Sequence, residues 1–346
     1  MTEPALPDWD NLGFAFVETD AFYRSNGDTD RDPVWDEGEM MPLGPVTLSP
    51  AASFFSYGLG IFEGTKAQRS ADGRVLLFRH RENARRFQRS AKRLLMAPFP
   101  EERFVEALES LVSRNLRFVP PHGKGSFYIR PLEHAIEPLV GIQPGSRFWV
   151  LMFGCPVAGY FAGKSDAGRQ GLRLRVLEQG RVADGGTGAA KAMGNYAGGM
   201  ALARPWQQKG FDDVLYLDAR HLAYVTETSG SNVFVKLESG PLVTPPLDDQ
   251  ILAGITRDSV MRLAREVFDV EVEERPIRLE EVVDAAEEVF CTGTAWTVLN
   301  VRELDHRERV HRFECNDLQQ KLLGELRGIQ SGAREDRFGW TKEIEA

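Results

Sequence analysis

The chain has 346 residues and a mass of 38.8 kDa, which is enough for two domains of about 150 residues each. Its composition, 42% hydrophobic and 27% charged, predicts a soluble globular protein and no membrane role. The formal net charge of -9 would repel a phosphate backbone, so nucleic acid is not an expected partner.

The first half of the chain is predicted to alternate short strands with amphipathic helices. Residues 75–78 are rich in strand formers, and apolar residues at helical spacing predict helices over 83–96 and 101–116. Two further strands are expected at 126–130 and 148–153. Gly, Lys, Ser, Asp and Gln then dominate a stretch typical of a linker. We therefore predict an N-terminal domain at 1–158, a linker at 159–170 and a C-terminal domain at 171–346.

The second half begins with a predicted strand at 172–176 and a glycine-dense segment around Lys191. Strands at 214–218, 222–226 and 232–236 are expected to form a meander. Thr256 is the predicted N-cap of a helix reaching residue 268, and a strand at 289–292 precedes a last helix at 317–329. The fold class expected from this order is α+β.

The cysteines and the N-terminal residues bear on the cellular compartment of the protein. Three widely spaced cysteines, Cys155, Cys291 and Cys315, form neither a disulfide framework nor a metal-binding pair. The first ten residues are acidic and lack the apolar core of a secretory signal. We predict a cytoplasmic protein. The six histidines show no ligand spacing, so no metal site is expected.

The first candidate for chemistry is Lys191, which lies among glycines and alanines. Burial in such a segment lowers the pKa of an amine, and an amine of lowered pKa is what a Schiff-base lysine requires. An exposed lysine in a flexible loop is the alternative.

Other segments supply complementary chemistry. Glu227 ends a predicted strand, where its carboxylate could hold a protonated ring nitrogen or be only a surface charge. Residues 254–257, Gly-Ile-Thr-Arg, place backbone N–H groups and a hydroxyl at a helix N-terminus, which favours phosphate. Tyr196 follows Lys191 by five residues, and Thr294 lies in a second hydroxyl loop. Amine, ring-nitrogen partner and phosphate donors are together what pyridoxal 5′-phosphate requires.

The order of these segments resembles the branched-chain amino acid aminotransferase family over almost the whole chain. The matching stretches are YGLGIFEGTKA (57–67), LFRHRENARR (77–86), GSFYIRP (125–131), GGTG (185–188), KAMGNY (191–196), DVLYLD (213–218), TETSGSN (226–232), TPPL (244–247), LAGITR (252–257) and TGTA (292–295). The resemblance implies the two-domain architecture of fold-type IV pyridoxal-phosphate enzymes, with a smaller N-terminal α/β domain and a larger C-terminal domain containing a mixed sheet or barrel.

The resemblance also implies a role for each matching residue. Lys191 would bond the cofactor and move the substrate proton, Glu227 would hold the pyridinium N–H and Tyr196 would bind O3′. The phosphate ligands would be Arg86, Ile255, Thr256 and Thr294. The substrate pocket would be lined by Tyr57, Phe62, Tyr128, Arg130 and Tyr160, with the α-carboxylate at the backbone of Ala295 and Trp296. Family enzymes are homodimers, and here the loop near Ile142 would close the neighbouring site.

The chain departs from the family pattern in its expected side-chain pocket. Glu18 stands where the family has an apolar aromatic before Thr19-Asp20, and Glu133 and His134 interrupt a stretch that is usually apolar. The resemblance implies valine, leucine and isoleucine as the default donors, whereas these changes suggest a donor with a polar or basic side chain. The predicted function is transfer of an amino group between an L-amino acid and a 2-oxo acid, with 2-oxoglutarate and glutamate as the expected pair. The alternatives are a fold-type IV lyase, such as aminodeoxychorismate lyase, and a non-catalytic relative.

Overall fold

A computed structural model describes residues 4–159 and 167–345. The chain divides into two compact units. The first consists of Met1–Ala158, Ala190–Gly194 and Ile329–Ala346, and the second of Gly159–Ala189 and Asn195–Gly328. These units differ from the predicted division because the lysine segment and the C-terminal segment belong to the first unit. Residues 160–166 of the predicted linker lie outside the described residues, and its last four, Ala167–Gln170, form a short helix.

The secondary structure follows the chain in this order. The elements before residue 158 are β1 (Ala21–Asp28), β2 (Glu39–Pro42), α1 (Ser53–Tyr57), β3 (Gly60–Phe62), β4 (Thr65–Arg69), β5 (Val75–Phe78), α2 (His80–Arg93), α3 (Glu101–Arg114), a 3₁₀ turn (Leu116–Phe118), β6 (Ser126–Ala135) and β7 (Arg147–Val157). The remaining elements are α4 (Ala167–Gln170), β8 (Leu172–Leu177), α5 (Met193–Gln207), β9 (Asp213–Leu217), β10 (Val225–Thr228), β11 (Asn232–Leu237), β12 (Leu242–Thr244), α6 (Ile255–Glu266), β13 (Val272–Glu274), α7 (Leu279–Ala285), β14 (Ala286–Gly293), β15 (Thr297–His306), β16 (Arg309–Arg312), α8 (Asp317–Gln330) and β17 (Thr341–Ile344).

The first unit is built on an antiparallel sheet with strand order β17-β5-β4-β6-β7-β1-β2, and β3 pairs with β6. Apolar residues of α2 and α3, such as Phe87 and Phe104, pack with Phe127 and Ile129 of β6 in one core. Because side chains alternate along a strand, Tyr128 and Arg130 lie on the opposite face of β6 from this core. That face carries the candidate substrate residues.

The second unit contains a mixed sheet with strand order β10-β9-β8-β15-β14-β11-β12-β13. β10 pairs with both β9 and β11, so six of these strands close into a barrel. β8 runs parallel to its neighbours β9 and β15. The predicted meander is confirmed, since β9, β10 and β11 pair antiparallel in sequence. Within the described ranges, no helix is long and apolar enough to cross a membrane.

Candidate active site

The backbone of Lys191 is hydrogen-bonded on both sides within the first unit. Its N–H donates to Ser90 Oγ over 2.9 Å, and its carbonyl accepts the N–H of Phe62 over 3.1 Å. Ile61 and Ala192 form an antiparallel bridge. The lysine segment thus lies along the edge of β3 like a short extra strand. The flexible-loop alternative is therefore wrong, because the backbone is fixed and the side chain is partly buried.

The ring of Phe62 contacts two cations. Lys191 Nζ lies 4.5 Å from the ring centroid and Arg130 Cζ lies 4.7 Å from it. Arg130 Nη2 also donates to Tyr128 Oη over 3.0 Å. A Cβ at Gly64 would lie 2.2 Å from that hydroxyl, so a larger residue there would displace the Tyr128 side chain. The structure therefore brings together four predicted site residues of the first unit.

Arg86 lies on α2 and is almost completely buried, and its partner is Glu63. The guanidinium Nε and Nη2 donate to Glu63 Oε1 and Oε2 over 2.6 and 2.8 Å. Asn83 Nδ2 and the Gly64 N–H donate to the same carboxylate over 2.7 and 3.1 Å. Burial works to raise the pKa of Glu63, but Arg86, Lys191 and Asn83 outweigh burial and hold that pKa below its ordinary value.

Sequence reasoning missed Glu63, the buried partner of Arg86. The available signal was an acidic residue directly after two apolar ones in the stretch Ile61-Phe62-Glu63, where an unpaired carboxylate would be costly to bury.

Two other predicted residues of the first unit, Tyr57 and Glu18, are exposed. Tyr57 is 41% exposed, and its hydroxyl donates to the Val140 carbonyl over 2.5 Å. Glu18 is exposed, and among the described residues it forms no ion pair with Arg130. Tyr160 lies outside the described residues.

The structure corrects the interpretation of Glu133. On β6 this residue alternates with Leu132 and His134, and it shares the core-facing side of the strand with Ile129. Its side chain is fully buried, and neither carboxylate oxygen has a hydrogen-bond partner in the part of the chain that the structure describes. Glu133 therefore does not line the face that carries Arg130. His134 lies on that face, and its ring centroid is 4.2 Å from that of Phe54.

In the second unit, Glu227 forms a buried ion pair on β10. Its Oε1 lies 2.5 Å from Arg181 Nη2, and both side chains are 5% exposed. The N–H of Leu252 and Nδ2 of Asn232 approach Oε2 at 3.4 and 3.5 Å. The interpretation of Glu227 as a surface charge is wrong. Sequence reasoning missed Arg181, whose guanidinium also donates to the carbonyls of Gly188 and Gln250.

Three polar residues, Glu227, Asn232 and Thr292, are neighbours on adjacent strands of the barrel. Glu227 pairs with Asn232, and Asn232 pairs with Thr292. The hydroxyl of Thr292 is buried without a hydrogen-bond partner among the described residues. The N-terminus of α6 adjoins Asn232, because a Cβ at Gly254 would lie 2.0 Å from Asn232 Oδ1. This arrangement places backbone N–H groups, hydroxyls and a carboxylate in one region of the second unit.

The remaining predicted residues of the second unit lie on α6, on α5 and in one turn. Gly254 is the N-cap of α6, so Ile255 and Thr256 occupy its first turn and the predicted N-cap at Thr256 is wrong. Tyr196 is partly buried on α5, just after Asn195, whose Nδ2 donates to the Thr187 carbonyl over 2.8 Å. The turn between β14 and β15 contains Thr294, Ala295 and Trp296. No group of three metal-ligating side chains occurs in the described ranges.

Comparison with known proteins assigns the family. The model of amino-transferase class IV matches residues 60–304. Branched-chain amino acid aminotransferase 1, mitochondrial, from Humulus lupulus is 40% identical over 99% of this chain and 86% of its own length. The chain belongs to the branched-chain amino acid aminotransferase family. It is a pyridoxal-phosphate-dependent transaminase, as the sequence predicts.

Solved structures of the family confirm the predicted fold. The branched-chain amino acid aminotransferase of Escherichia coli aligns with a TM-score of 0.80 at 27% identity, covering 95% of this chain and 100% of that structure. A T.th. branched-chain amino acid aminotransferase, complexed with N-(5′-phosphopyridoxyl)-L-glutamate, aligns with a TM-score of 0.75 at 28% identity and the same coverage of each chain. The residues present here fit pyridoxal 5′-phosphate. A buried carboxylate, a buried hydroxyl without a partner among the described residues and a helix N-terminus meet the needs of its ring nitrogen and phosphate.

The predicted cytoplasmic localisation is corrected by the relatives. The Humulus lupulus protein is named mitochondrial, and an Arabidopsis thaliana relative, 38% identical over 99% of this chain and 82% of its own length, is named branched-chain-amino-acid aminotransferase 5, chloroplastic. These names do not support a cytoplasmic assignment. The physical reason for the error is that acidic residues near the N-terminus and free cysteines carry no information that separates the cytosol from an organelle.

Proposed function

We propose that this transaminase moves the amino group between a branched aliphatic L-amino acid and 2-oxoglutarate. The observation that carries the proposal is Arg130, which lies over the rings of Phe62 and Tyr128. Its Nε is buried without a hydrogen-bond partner among the described residues. A guanidinium on an aromatic wall suits two ligands, since the donors bind a distal carboxylate and the rings pack on an aliphatic side chain. The T.th. relative has been solved both with a phosphopyridoxyl-glutamate adduct and with 4-methylvaleric acid.

The cofactor-binding roles follow from the same proposal. Bound pyridoxal 5′-phosphate supplies the aldehyde that takes up the amino group and a ring that accepts electrons. Lys191 Nζ holds the cofactor and carries the proton between the substrate Cα and C4′. Glu227 keeps the proton on the pyridine nitrogen, and Tyr196 binds O3′. The proposed phosphate ligands are Arg86, Ile255, Thr256 and Thr294.

The substrate carboxylates are proposed to bind at two places. The backbone of the turn at Ala295 and Trp296 receives the α-carboxylate, and Arg130 with Tyr128 receives the side-chain carboxylate of glutamate. With an aliphatic substrate, the ring of Phe62 takes the place of that second contact.

We propose that the active enzyme is a homodimer. Four exposed apolar side chains of the first unit support this proposal, namely Phe55, Tyr57, Val140 and Ile142, and the last two are 92% and 91% exposed. An apolar patch of this kind favours a protein partner, and a second copy is the partner proposed. The loop of one copy that contains Ile142 would close the site of the other.

The dimer proposal is tested with Ile142→Asp and the control Leu95→Asp, which changes another exposed apolar residue of the same unit. Sedimentation velocity should show a dimer for the wild type and the control, and a shift toward monomer for Ile142→Asp. A wild type that stays monomeric at assay concentration contradicts the proposal.

A second candidate donor is an amino acid with a polar or basic side chain. Two aromatic contacts of the N-terminal segment support it. The ring centroids of Phe14 and Tyr128 are 5.8 Å apart. Those of Phe16 and Phe153 are 6.0 Å apart, and Phe153 is the strand neighbour of Arg130. Glu18 follows Phe16 by two residues and is exposed. His134 adds a polar group on the face of β6 that carries Arg130.

A half-reaction screen separates the two donors. The cofactor absorbance of the holoenzyme is followed after addition of leucine, isoleucine, valine, ornithine, arginine or a hydroxylated analogue, each with wild type and Glu18→Phe. Preference for the aliphatic donors, unchanged in the variant, supports the first donor class. Preference for ornithine or arginine that Glu18→Phe shifts to leucine supports the second. No response to any L-amino acid would contradict the proposed function.

A further inference from the structure

One buried carboxylate of the first unit, that of Glu63, interacts with two candidate site residues, Arg86 and Lys191. Glu63 binds the Arg86 guanidinium at two points, and the charge of Lys191 acts on the same carboxylate. We propose that Glu63 is a positioning residue that orients Arg86 for the cofactor phosphate before the cofactor arrives. This inference rests on the proposed phosphate-binding role of Arg86.

The geometry of the pair fixes the guanidinium plane. A two-point contact through Nε and Nη2 allows one orientation of the guanidinium, whereas a single contact would leave it free to rotate. Both side chains are buried, with 6% of Arg86 and 0% of Glu63 exposed. The carboxylate itself is held by Asn83 and by the N–H of Gly64. These contacts within the protein hold the Arg86 guanidinium in one orientation.

The same two elements hold the lysine backbone. Phe62, which directly precedes Glu63, donates its N–H to the Lys191 carbonyl. Ser90, which lies one turn after Arg86 on α2, accepts the Lys191 N–H. The Glu63–Arg86 pair thus joins β3 to α2 at the place where both elements contact Lys191. A loss of this pair should disturb the phosphate contact first, because Arg86 loses the two-point contact that orients it.

Electrostatics and positioning make opposite predictions for Glu63→Gln. The substitution keeps the size of the side chain and removes a negative charge next to Arg86. If the net charge of the site decided affinity, the variant would bind a phosphate more tightly than the wild type. If Glu63 acts by positioning, the variant binds it more weakly, because the guanidinium must be ordered when the phosphate binds.

The test uses cofactor-free protein titrated with pyridoxal 5′-phosphate and with pyridoxal, which lacks the phosphate. The proteins are wild type, Glu63→Gln, Arg86→Gln and the double variant. The control is Glu102→Gln, which breaks a two-point pair between Arg81 of α2 and Glu102 on the exposed surface. We expect Glu63→Gln to weaken pyridoxal 5′-phosphate binding by about tenfold or more and pyridoxal binding much less. In the Arg86→Gln background, Glu63→Gln should have little further effect.

Two results would overturn the inference. One is a folded Glu63→Gln variant that binds pyridoxal 5′-phosphate as tightly as the wild type or more tightly. The other is equal weakening of both ligands, which would exclude an effect through the phosphate. If Arg86→Gln itself does not distinguish the two ligands, the proposed role of Arg86 fails, and the inference fails with it. If Glu63→Gln does not fold, Glu63→Asp is used instead. The aspartate keeps the negative charge, but its side chain is shorter. Glu63→Asp should therefore also weaken phosphate-dependent binding.

Discussion

Arg181 and Glu227 form an ion pair 2.5 Å long in which both side chains are 5% exposed. Removal of one partner from a buried pair leaves an uncompensated charge, which costs about 3–5 kcal/mol. Arg181→Met should therefore lower the free energy of unfolding of the cofactor-free protein by about that amount. The control is Arg220→Met, which breaks an exposed pair with Asp184 of the same 2.5 Å length and should cost less than about 1 kcal/mol. Urea denaturation measures both, and equal losses would show that burial does not strengthen the Arg181 pair.

Glu227→Gln should slow transamination while leaving cofactor binding intact. A neutral amide cannot keep the pyridine nitrogen protonated, so the ring would accept electrons poorly. The rate of the half-reaction with the preferred donor measures the effect. A loss smaller than about tenfold, equivalent to roughly 1.4 kcal/mol of barrier, would assign Glu227 a structural role only.

Arg130→Met should separate the two substrate classes. The variant keeps an apolar contact with Phe62 but loses the donors proposed to bind a distal carboxylate. We expect kcat/KM for glutamate to fall by about tenfold or more and that for leucine to change far less. Arg103→Met, which removes another guanidinium lying over a ring, that of Phe99, is the control and should affect both substrates equally. Parallel losses for glutamate and leucine in Arg130→Met would reject the carboxylate role.

Glu133→Leu should stabilise the protein. Desolvation raises the pKa of this fully buried carboxyl well above 4.5, so the folded state favours its neutral form. A group whose pKa is raised on folding contributes stability below its unfolded pKa, and that stability is lost as the pH rises through the folded pKa. The stability gain of Glu133→Leu should therefore grow as the pH rises above about 4.5.

The Glu133 prediction is checked by urea denaturation at several pH values, with exposed Glu106→Leu on α3 as the control. At neutral pH the gain should be on the order of 1–4 kcal/mol, as for replacement of other buried charges by apolar groups. A gain that does not change with pH, or a loss, would mean that Glu133 has a partner that stabilises its charged form.

Local chemistry in the sequence was enough to select candidate residues. Lys191 stands out because its neighbours are small and apolar, and the N-terminus of α6 stands out because a glycine and a hydroxyl precede an amphipathic stretch. Their partners could not be found this way. Glu63 and Arg86 are 23 residues apart, and their contact depends on how α2 lies against β3. The pairing of Arg181 with Glu227 likewise depends on closure of the barrel.

Element boundaries shifted where side chains control the backbone. The strand predicted at 222–226 is displaced to β10, because Asp218 accepts the N–H groups of His221, Ala223 and Tyr224 and extends the turn. The helix predicted at 83–96 is α2, which ends at Arg93 before Leu95 adopts a φ of 56°. Apolar periodicity reports burial, and it does not detect a carboxylate that organises a turn or a residue in the left-handed region.

We propose that Lys191 holds the cofactor covalently. Reduction of the holoenzyme with borohydride fixes the cofactor to the amine that holds it, and peptide mass spectrometry then locates the modified residue. We expect a pyridoxyl group on the peptide that contains Lys191. The Lys191→Ala variant should show neither this modification nor turnover. A pyridoxyl group on a different lysine, or wild-type turnover in Lys191→Ala, would contradict this proposal.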